Sequence, residues 1–401
     1  MSVVRDHSPR SVLHHAGPSY FPIAFIARLP FAMMTVGVLA LVVAARGSVA
    51  LGGVTSAAVG IGVVVAGPVV GHLVDTRGQR RVLVPLGVTN GVLLALFPLI
   101  AYSSIPDAAV LLTAPLIGLT GPQTAALSRT RVIALIGTRL PAERRARAYA
   151  RTMAYESAAD ETAFVIGPFL VGILAALLAP WAPLATAAVL SLVFVTAFAL
   201  HPTGRLTAAP GHEGAVAPLT ELLRGRILVL VVAIFGVGLF FGSTLTSLTA
   251  VMAAGGDAAA GALLYGVLGV GSAVLALASG ALPSRFPLAR RLVVFALLLT
   301  VSSVLYARGG SVPELSVVLC LMGCAVGPTL VTLFSLAGQR SPRGRSASTM
   351  TLMVSALALA QAFASAVVGA VAEGVAVGVA LACPAIAAAV VLAMAVVNGI
   401  R

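Results

Sequence analysis

The stretch Gly71-His72-Leu73-Val74-Asp75-Thr76-Arg77-Gly78-Gln79-Arg80-Arg81 separates two long apolar segments, at residues 50–70 and 82–101. It contains one acidic residue and three arginines. A stretch with this many charges is costly to bury in hydrocarbon, and it is too short to form a domain of its own. It therefore predicts a short loop that connects two membrane-spanning helices.

The composition of the whole chain also indicates a membrane protein. Of 401 residues, 59% are hydrophobic and only 9% are charged, which is too few charges to cover a soluble protein of this length. A membrane helix needs about 20 predominantly apolar residues. The sequence predicts an all-α membrane protein with twelve transmembrane helices. The predicted spans are 22–45, 50–70, 82–101, 108–127, 152–178, 183–200, 226–250, 259–282, 291–307, 314–337, 347–371 and 375–399.

The second half of the chain repeats the pattern of the first. A degenerate copy of the opening stretch, Gly280-Ala281-Leu282-Pro283-Ser284-Arg285, lies between the eighth and ninth spans, with Ser284 in place of the acid. Parallel repeats of this kind are typical of transporters built from two six-helix halves. The predicted units are a cytoplasmic tail at 1–19, a six-helix bundle at 20–200, a cytoplasmic linker at 201–225 and a second six-helix bundle at 226–401.

The distribution of arginine predicts the orientation in the membrane. All 25 basic residues are arginine, and the loops after even-numbered spans contain 19 of them against two in the loops after odd-numbered spans. Basic loops remain on the cytoplasmic side, so both termini are expected there. The formal net charge of +13, which would suggest a nucleic-acid partner in a soluble protein, is explained by this topology.

The spacing G-x-L-x-D-x-R-G-x-R-R in the opening stretch resembles the signature between the second and third helices of the major facilitator superfamily of transporters. That family usually has a basic residue directly after the aspartate, where this sequence has Thr76. The resemblance covers essentially the whole chain, and it implies that this loop latches the two halves together on the cytoplasmic side. The signature residues are Gly71, Asp75, Arg77, Gly78, Arg80 and Arg81.

The chemistry of an aspartate at a helix end agrees with a latch. Its carboxylate can accept hydrogen bonds from arginines and from the first amides of a neighbouring helix. We therefore expect Asp75 to act in gating and not to bind the substrate.

A second motif lies in the fifth span. Gly167-Pro168-Phe169-Leu170-Val171-Gly172 is similar to the G-P-x-x-x-G part of a motif that is associated with exporters of the same family. The family has a further glycine four residues earlier, where this sequence has Ala163. Glycine allows helices to approach closely, and proline removes a backbone hydrogen bond and bends the helix. The motif favours export over import, although glycine and proline are common in membrane helices of every function.

Three acids in the fifth span are the candidates for proton coupling: Glu156, Asp160 and Glu161. Glu156 and Asp160 share one helix face, because they are four residues apart. An acid that faces lipid costs about 2.5–3.5 kcal/mol on insertion scales, so these side chains should face protein or a water-filled cavity. Two interpretations remain open: the acids carry a coupling proton, or they pair with arginines such as Arg151 or Arg28 near the membrane edge.

Other polar residues in the spans are scarce. Arg28, Asn90, Gln123, Thr244 and Gln361 are the candidates for lining a substrate cavity. The alternative is structural, since uncharged polar groups also join helices and a long arginine side chain can reach the membrane edge.

The family's drug exporters often carry an arginine in the fourth span that assists proton coupling. The predicted fourth span, 108–127, contains no basic residue. This difference argues against that arrangement here.

The resemblance implies a secondary transporter that works by alternating access, with its substrate cavity between the two halves near the membrane midplane. We expect it to export a small organic or amphipathic compound by proton antiport, as a monomer in the inner membrane of a bacterium. An importer or uniporter of the same fold is one alternative, and a membrane sensor or scaffold that does not transport is another. No enzyme activity, cofactor, metal or disulfide is expected, because the sequence has no phosphate loop, zincin motif or nucleophile elbow.

The predicted orientation can be tested with single cysteines in a cysteine-free background. A cysteine at Thr76 or Pro342 should be shielded from an impermeant thiol reagent in intact cells, because both positions lie in loops predicted to be cytoplasmic. A cysteine at Ser104, in a predicted outer loop, should be labelled. Labelling of Thr76 and Pro342 from outside would reverse the orientation.

Overall fold

The structure is a computed structural model, and it describes residues 12–208, 217–254, 258–283 and 285–400. Over these ranges the chain forms helices joined by short connections, and no strand is present. The spanning helices are α1 (Tyr20–Arg46), α2 (Val49–Arg77), α3 (Gln79–Tyr102), α4 (Asp107–Arg139), α5 (Ala142–Leu177), α6 (Ala182–Leu200), α7 (Gly225–Ala254), α8 (Ala258–Ser279), α9 (Leu288–Tyr306), α10 (Val312–Arg340), α11 (Ser346–Gly374) and α12 (Val377–Gly399).

Among the described residues, eleven helices have the length and apolar composition needed to cross a membrane. Helix α8 adds a shorter apolar segment, Leu264–Ser279. The predicted fold class, an all-α membrane protein with twelve transmembrane helices, is therefore confirmed.

Two of the spanning helices are interrupted, and the interruptions position polar groups. Helix α1 breaks at Ala27 and Arg28, directly before a helical turn that contains Pro30. Helix α4 breaks at residues 121–123, where Pro122 cannot donate a backbone hydrogen bond. Helix α6 remains helical but contains one π-helical turn, Ser191–Val195.

The predicted loop at residues 71–81 is wrong. Helix α2 continues to Arg77 and α3 begins at Gln79, so that Gly78 alone forms the turn. Its φ of 83° lies in the region that favours glycine. The helix does not stop where the apolar residues stop, because long charged side chains at a helix end can reach the aqueous interface.

The predicted end of the fourth span, at residue 127, is also wrong. Helix α4 continues to Arg139 and ends just before Pro141, which disfavours helical conformation in the residue that precedes it. Arg129 and Arg131, which the sequence places among the loop arginines, are therefore inside the bundle, and each is only 1% exposed.

The segments outside the two bundles are described only in part. Within the predicted tail, Val12–Ala16 forms a short helix whose Ala16 is buried, whereas residues 1–11 lie outside the described ranges. Within the predicted linker, Pro202–Ala208 and Leu219–Leu223 form 3₁₀ helices, whereas residues 209–216 lie outside those ranges. Ser284 of the degenerate repeat lies outside them too.

Each half of the chain has its own hydrophobic core. Side chains of α1 to α6, such as Met33 and Phe97, form one core, and side chains of α7 to α12, such as Phe240 and Leu299, form another. Helix α2 packs along α11 and helix α5 packs along α8, so these two pairs join the halves.

Glycines allow helices within one half to touch through their backbones. A Cβ at Gly118 of α4 would lie 2.9 Å from the backbone nitrogen of Val63 on α2 and even closer to the carbonyl oxygen of Val59. Gly323 of α10 meets the backbone of Leu268 on α8 in the same way. Because backbone atoms cannot move aside as a flexible side chain can, only glycine fits at these crossings.

Gly118→Ala should lower the thermal stability of the purified protein, because the new methyl group collides with the backbone of α2. Gly137→Ala, also on α4, is the matched control, since a Cβ there has no neighbour within 4 Å. In an exposed helix position this change stabilises by up to about 1 kcal/mol. Equal melting temperatures for the two variants would contradict the proposed close contact.

Candidate functional site

A buried charge network joins α1, α4 and α5. Arg28, at the break in α1, pairs with Glu156 through Nη2 and with Asp160 Oδ1 through Nε at 2.7 Å. Arg129 of α4 pairs with the other oxygen of Asp160, with 2.6 Å between Nη2 and Oδ2. We call these four residues the charge network. Both arginines and Glu156 are at most 3% exposed.

The break in α1 holds Arg28 in place. Its Nη1 donates to the carbonyl oxygen of Ala24 at 2.7 Å, and its other two nitrogens face α5. Of the two open interpretations for Glu156 and Asp160, the structure shows pairing with Arg28. Arg151, the other arginine considered, is exposed and has no ion pair within the described residues.

Arg129 is the site residue that the sequence analysis missed, and it corrects the statement that the fourth span lacks a basic residue. The signal was present in the apolar positions Val132, Leu135 and Ile136, which continue the helical pattern beyond residue 127. The guanidinium carbon also lies 3.8 Å from the centroid of the Phe334 ring on α10. Arg129 therefore touches both halves of the molecule.

Hydroxyl groups extend the network on the side of α1. Ser128 Oγ donates to Glu156 Oε1 at 2.9 Å, and Tyr20 Oη lies 2.9 Å from the same Ser128 Oγ. Two positive and two negative charges make the charge network neutral. Removing one member of a buried ion pair leaves an uncompensated charge, which typically costs about 3–5 kcal/mol. We therefore expect the four residues of the charge network to remain paired, whether or not they also take part in function.

Glu161 differs from its two neighbours. It has no ion-pair partner among the described residues, and its side chain is partly exposed. The groups that face it are Asp160 and Arg129 on its own side and Ser272 and Tyr265 of α8 on the other. Glu161 thus lies where the two halves meet, next to the charge network but not neutralised within it.

Arg131 forms a separate buried contact set. Its Nε donates to Gln79 Oε1 at 2.6 Å, its Nη1 donates to the carbonyl oxygen of Phe198 at 2.6 Å, and its guanidinium carbon lies 3.7 Å from the Phe198 ring centroid. Gln79 in turn donates to Thr130 Oγ1 at 2.5 Å. This set joins α4 to the start of α3 and the end of α6, all within one half.

Asp75 lies at the N-terminus of α11, in the opposite half. Its carboxylate accepts from the backbone nitrogens of Ala347 at 2.9 Å and Ser348 at 2.8 Å, and from Ser348 Oγ at 2.5 Å. The first amides of a helix have no partner within the helix, and the positive end of its dipole favours a carboxylate. Asp75 therefore caps a helix that belongs to the other half. We call the end of the bundle where this contact lies the Asp75 end.

Other contacts reinforce this cap. Arg345 Nη1 donates to Nδ1 of His72 at 2.7 Å, and Arg345 Nε donates to the carbonyl oxygen of Ala217 at 2.6 Å. A Cβ at Gly71 would collide with Ser348 and Thr351 of α11, so this glycine allows the two helices to touch.

The arginines of the signature do not contact Asp75. Arg77, Arg80 and Arg81 are exposed, and within the described part of the chain none of them forms an ion pair. The oxygens of Asp75 are occupied by helix amides and a hydroxyl. The structure therefore places Gly71 and Asp75 at the contact between halves, Gly78 at the turn between α2 and α3, and the arginines on the surface.

The uncharged cavity candidates have mixed positions. Asn90 donates to the carbonyl oxygen of Ile117 at 3.0 Å, and Thr244 donates to that of Phe240 at 2.7 Å, so both bond within their own half. Gln123, at the break in α4, is buried and its Oε1 has no hydrogen-bond partner among the described atoms. Gln361 is partly buried on α11, where its backbone meets Gly242 of α7.

The glycines of the second motif have different surroundings. A Cβ at Gly167 would lie 2.7 Å from Cβ of Ala32, so α5 approaches α1 closely there. Gly172 is exposed and has no neighbour within 4 Å of a Cβ position. Helix α5 continues through Pro168 without interruption.

Comparison with solved structures finds the same fold. The human organic anion transporter MFSD10 (TETRAN) shares 18% identity and a TM-score of 0.71, with 96% of this chain and 99% of that chain covered. A bacterial homologue of the iron transporter ferroportin, outward-facing with soaked iron, shares 15% identity and a TM-score of 0.72, covering 94% and 98%. The proton:xylose symporter XylE shares 15% identity and a TM-score of 0.64, covering 96% and 95%.

The sequence comparison with protein families gives one match. The profile of the Major Facilitator Superfamily matches residues 20–365, which is most of the chain. No curated protein matches the sequence. The family match, the helical architecture and the similarity to solved transporters agree, and the chain belongs to the Major Facilitator Superfamily.

Proposed function

We propose that this protein exports a small organic or amphipathic compound by alternating access, with protons moving in the opposite direction. The observation that supports proton coupling is the placement of Glu161. Of the three α5 acids considered for proton coupling, it is the one that lacks an ion-pair partner among the described residues, and it lies where α5 meets α8 of the other half. An ionisable group at this depth is a functional candidate by default.

The contacts between halves support a state that is closed at the Asp75 end. Beyond the Asp75 cap, Tyr149 Oη donates to the carbonyl oxygen of Ser335 at 2.8 Å, and Gly280 packs against Ala154 and the backbone of Arg151. Separation of the halves at this end has to break these contacts together. We propose that substrate enters from this end, taken to be cytoplasmic from the arginine distribution, once they have opened.

Glu156 and Asp160 are less suited to carry the proton. Each faces a buried guanidinium, so protonation of either acid would leave one uncompensated positive charge in the charge network. Protonation of Glu161 removes a charge that no arginine neutralises directly. We therefore assign proton loading to Glu161 and the holding of α1, α4 and α5 in register to the charge network.

Arg129 provides a route by which the proton site can respond to the opposite half. It pairs with Asp160, the residue before Glu161, and its guanidinium stacks on Phe334 of α10. When the halves separate, Phe334 leaves with α10 and Arg129 becomes accessible. A change in the charge of Glu161 would then alter how strongly Arg129 is held.

The direction of transport rests on the Gly167-Pro168 motif, which resembles that of exporters. Proton coupling itself occurs within this fold, since one solved relative is described as a proton:xylose symporter. That relative's coupling is symport, so import is the alternative outcome of the transport assay below.

Asp75→Asn should weaken closure at the Asp75 end, because the amide group that replaces one oxygen cannot accept a hydrogen bond from α11. The expected loss is about 1–3 kcal/mol for a charge-assisted bond. Spin labels at Arg80 and Arg343, one in each half, report the distance between the halves at the Asp75 end. The variant should show a larger population of the longer distances that belong to the open state. Thr76→Val is the control, since the Thr76 hydroxyl bonds only within its own helix. An unchanged distance distribution together with lost substrate binding would move Asp75 into a substrate site.

Glu161→Gln should abolish uphill transport driven by a pH gradient and preserve substrate exchange, because exchange needs no net proton movement. The measurement uses reconstituted vesicles, with a compound found by screening small organic compounds against the wild-type protein. Glu143→Gln, the same change at an exposed position at the start of α5, is the control and should retain both activities.

Two results would contradict the proposal. If Glu161→Gln keeps uphill transport, coupling does not run through this acid. If an inside-acid gradient drives substrate out of vesicles together with protons, the protein is a symporter.

A further inference from the structure

A groove on the surface of the first half, near the Asp75 end, combines an apolar wall with two arginines. It has a volume of about 340 Å³ and lies between α2, α3 and α4. Its walls include Val69 and Leu73 of α2, Pro85 and Leu86 of α3, and Leu119 of α4. Arg77 and Arg81 line the same groove, one on each side of the Gly78 turn.

We infer that this groove binds a phospholipid with an anionic headgroup, with an acyl chain along the apolar wall and the headgroup against Arg77 and Arg81. The inference is independent of which compound the protein transports. It gives Arg77 and Arg81 a binding partner, since Asp75 does not pair with either of them.

The charges of the groove favour an anion. Arg77 and Arg81 are exposed and form no ion pair within the described part of the chain. Asp75, the nearest acid in sequence to Arg77, has its oxygens occupied by α11. Both guanidiniums thus remain available for a phosphate group, which they can bind through paired N–H donors.

The apolar wall distinguishes a lipid from a soluble anion. Val69, about two turns before Arg77 on α2, is 53% exposed, as a side chain that faces hydrocarbon would be. A free phosphate would contact the arginines and leave this wall uncovered, whereas an acyl chain covers it. Basic pockets between membrane helices near the interface are known to bind lipid headgroups of this charge.

The position of the groove gives the lipid a structural role. Arg77 follows Asp75 by two residues on α2, and Arg81 is in the first turn of α3. A headgroup bound by both arginines would join the two helices across the single-residue turn at Gly78. The lipid would therefore stabilise the turn between α2 and α3, next to the point where Asp75 contacts the opposite half.

The test is native mass spectrometry of the full-length protein, purified and exchanged into micelles that contain palmitoyl-oleoyl-phosphatidylglycerol or palmitoyl-oleoyl-phosphatidylcholine. The wild-type protein should retain phosphatidylglycerol and not phosphatidylcholine. The double variant Arg77→Gln/Arg81→Gln should lose retention of phosphatidylglycerol by about ten-fold or more, given the attraction of each arginine for an anionic lipid. Arg144→Gln/Arg147→Gln, which removes two exposed arginines of α5 at the same net charge, should retain it as the wild type does.

A second variant tests the apolar wall. Val69→Trp fills the groove and leaves both arginines in place, so it should also reduce retention of phosphatidylglycerol. Melting temperatures measured in phosphatidylcholine micelles check that each variant is folded. If the first double variant retains the lipid, or if the α5 control loses it equally, the groove is not the site. If inorganic phosphate displaces the lipid and Val69→Trp has no effect, the arginines bind a free anion and the lipid assignment is wrong.

Discussion

The burial of four charges between α1, α4 and α5 constrains the rest of the first half. Arg28 reaches both acids of α5 from the break in α1 at residues 27–28, and Arg129 reaches Asp160 from the part of α4 that resumes after residues 121–123. The two helix breaks and the ion pairs are therefore one feature. Any sliding of α5 along α1 would separate charges that have no other partner nearby, so this half is expected to move as a rigid unit.

Rigid halves need a contact that can open as a whole, and α2 and α11 provide one. The carboxylate of Asp75 on α2 accepts hydrogen bonds from the first backbone amides of α11, and Gly71 allows the two helices to touch. Hydrogen bonds of this kind are lost together when the helices part, because water can replace each of them. The two kinds of contact therefore differ in position. The buried ion pairs lie within one half, whereas the hydrogen bonds that water can replace lie between the halves.

The sequence predicts the twelve spans and the repeat because hydropathy over about 20 residues is a strong signal. It does not predict the ends of α2 and α4, where the helix continues past the apolar residues until Gly78 or Pro141 stops it. Arg129 is missed for the same reason. A charged residue in an otherwise apolar helix looks like the start of a loop until its partner is known, and that partner, Asp160, is distant in sequence. Which acid remains unpaired depends on these tertiary contacts and cannot be read from spacing alone.

The exclusive use of arginine has an electrical consequence. A guanidinium stays protonated at every physiological pH, so the positive charge contributed by Arg28, Arg129 and Arg131 within the bundle is fixed. Of the charge network and Glu161, only the carboxylates can change their charge during turnover. Under the proposed mechanism each cycle alters the charge of Glu161 by one unit, and moving one unit across the membrane is worth about 2.3 kcal/mol per 100 mV. The membrane potential, and not the pH difference alone, then contributes to driving the transporter.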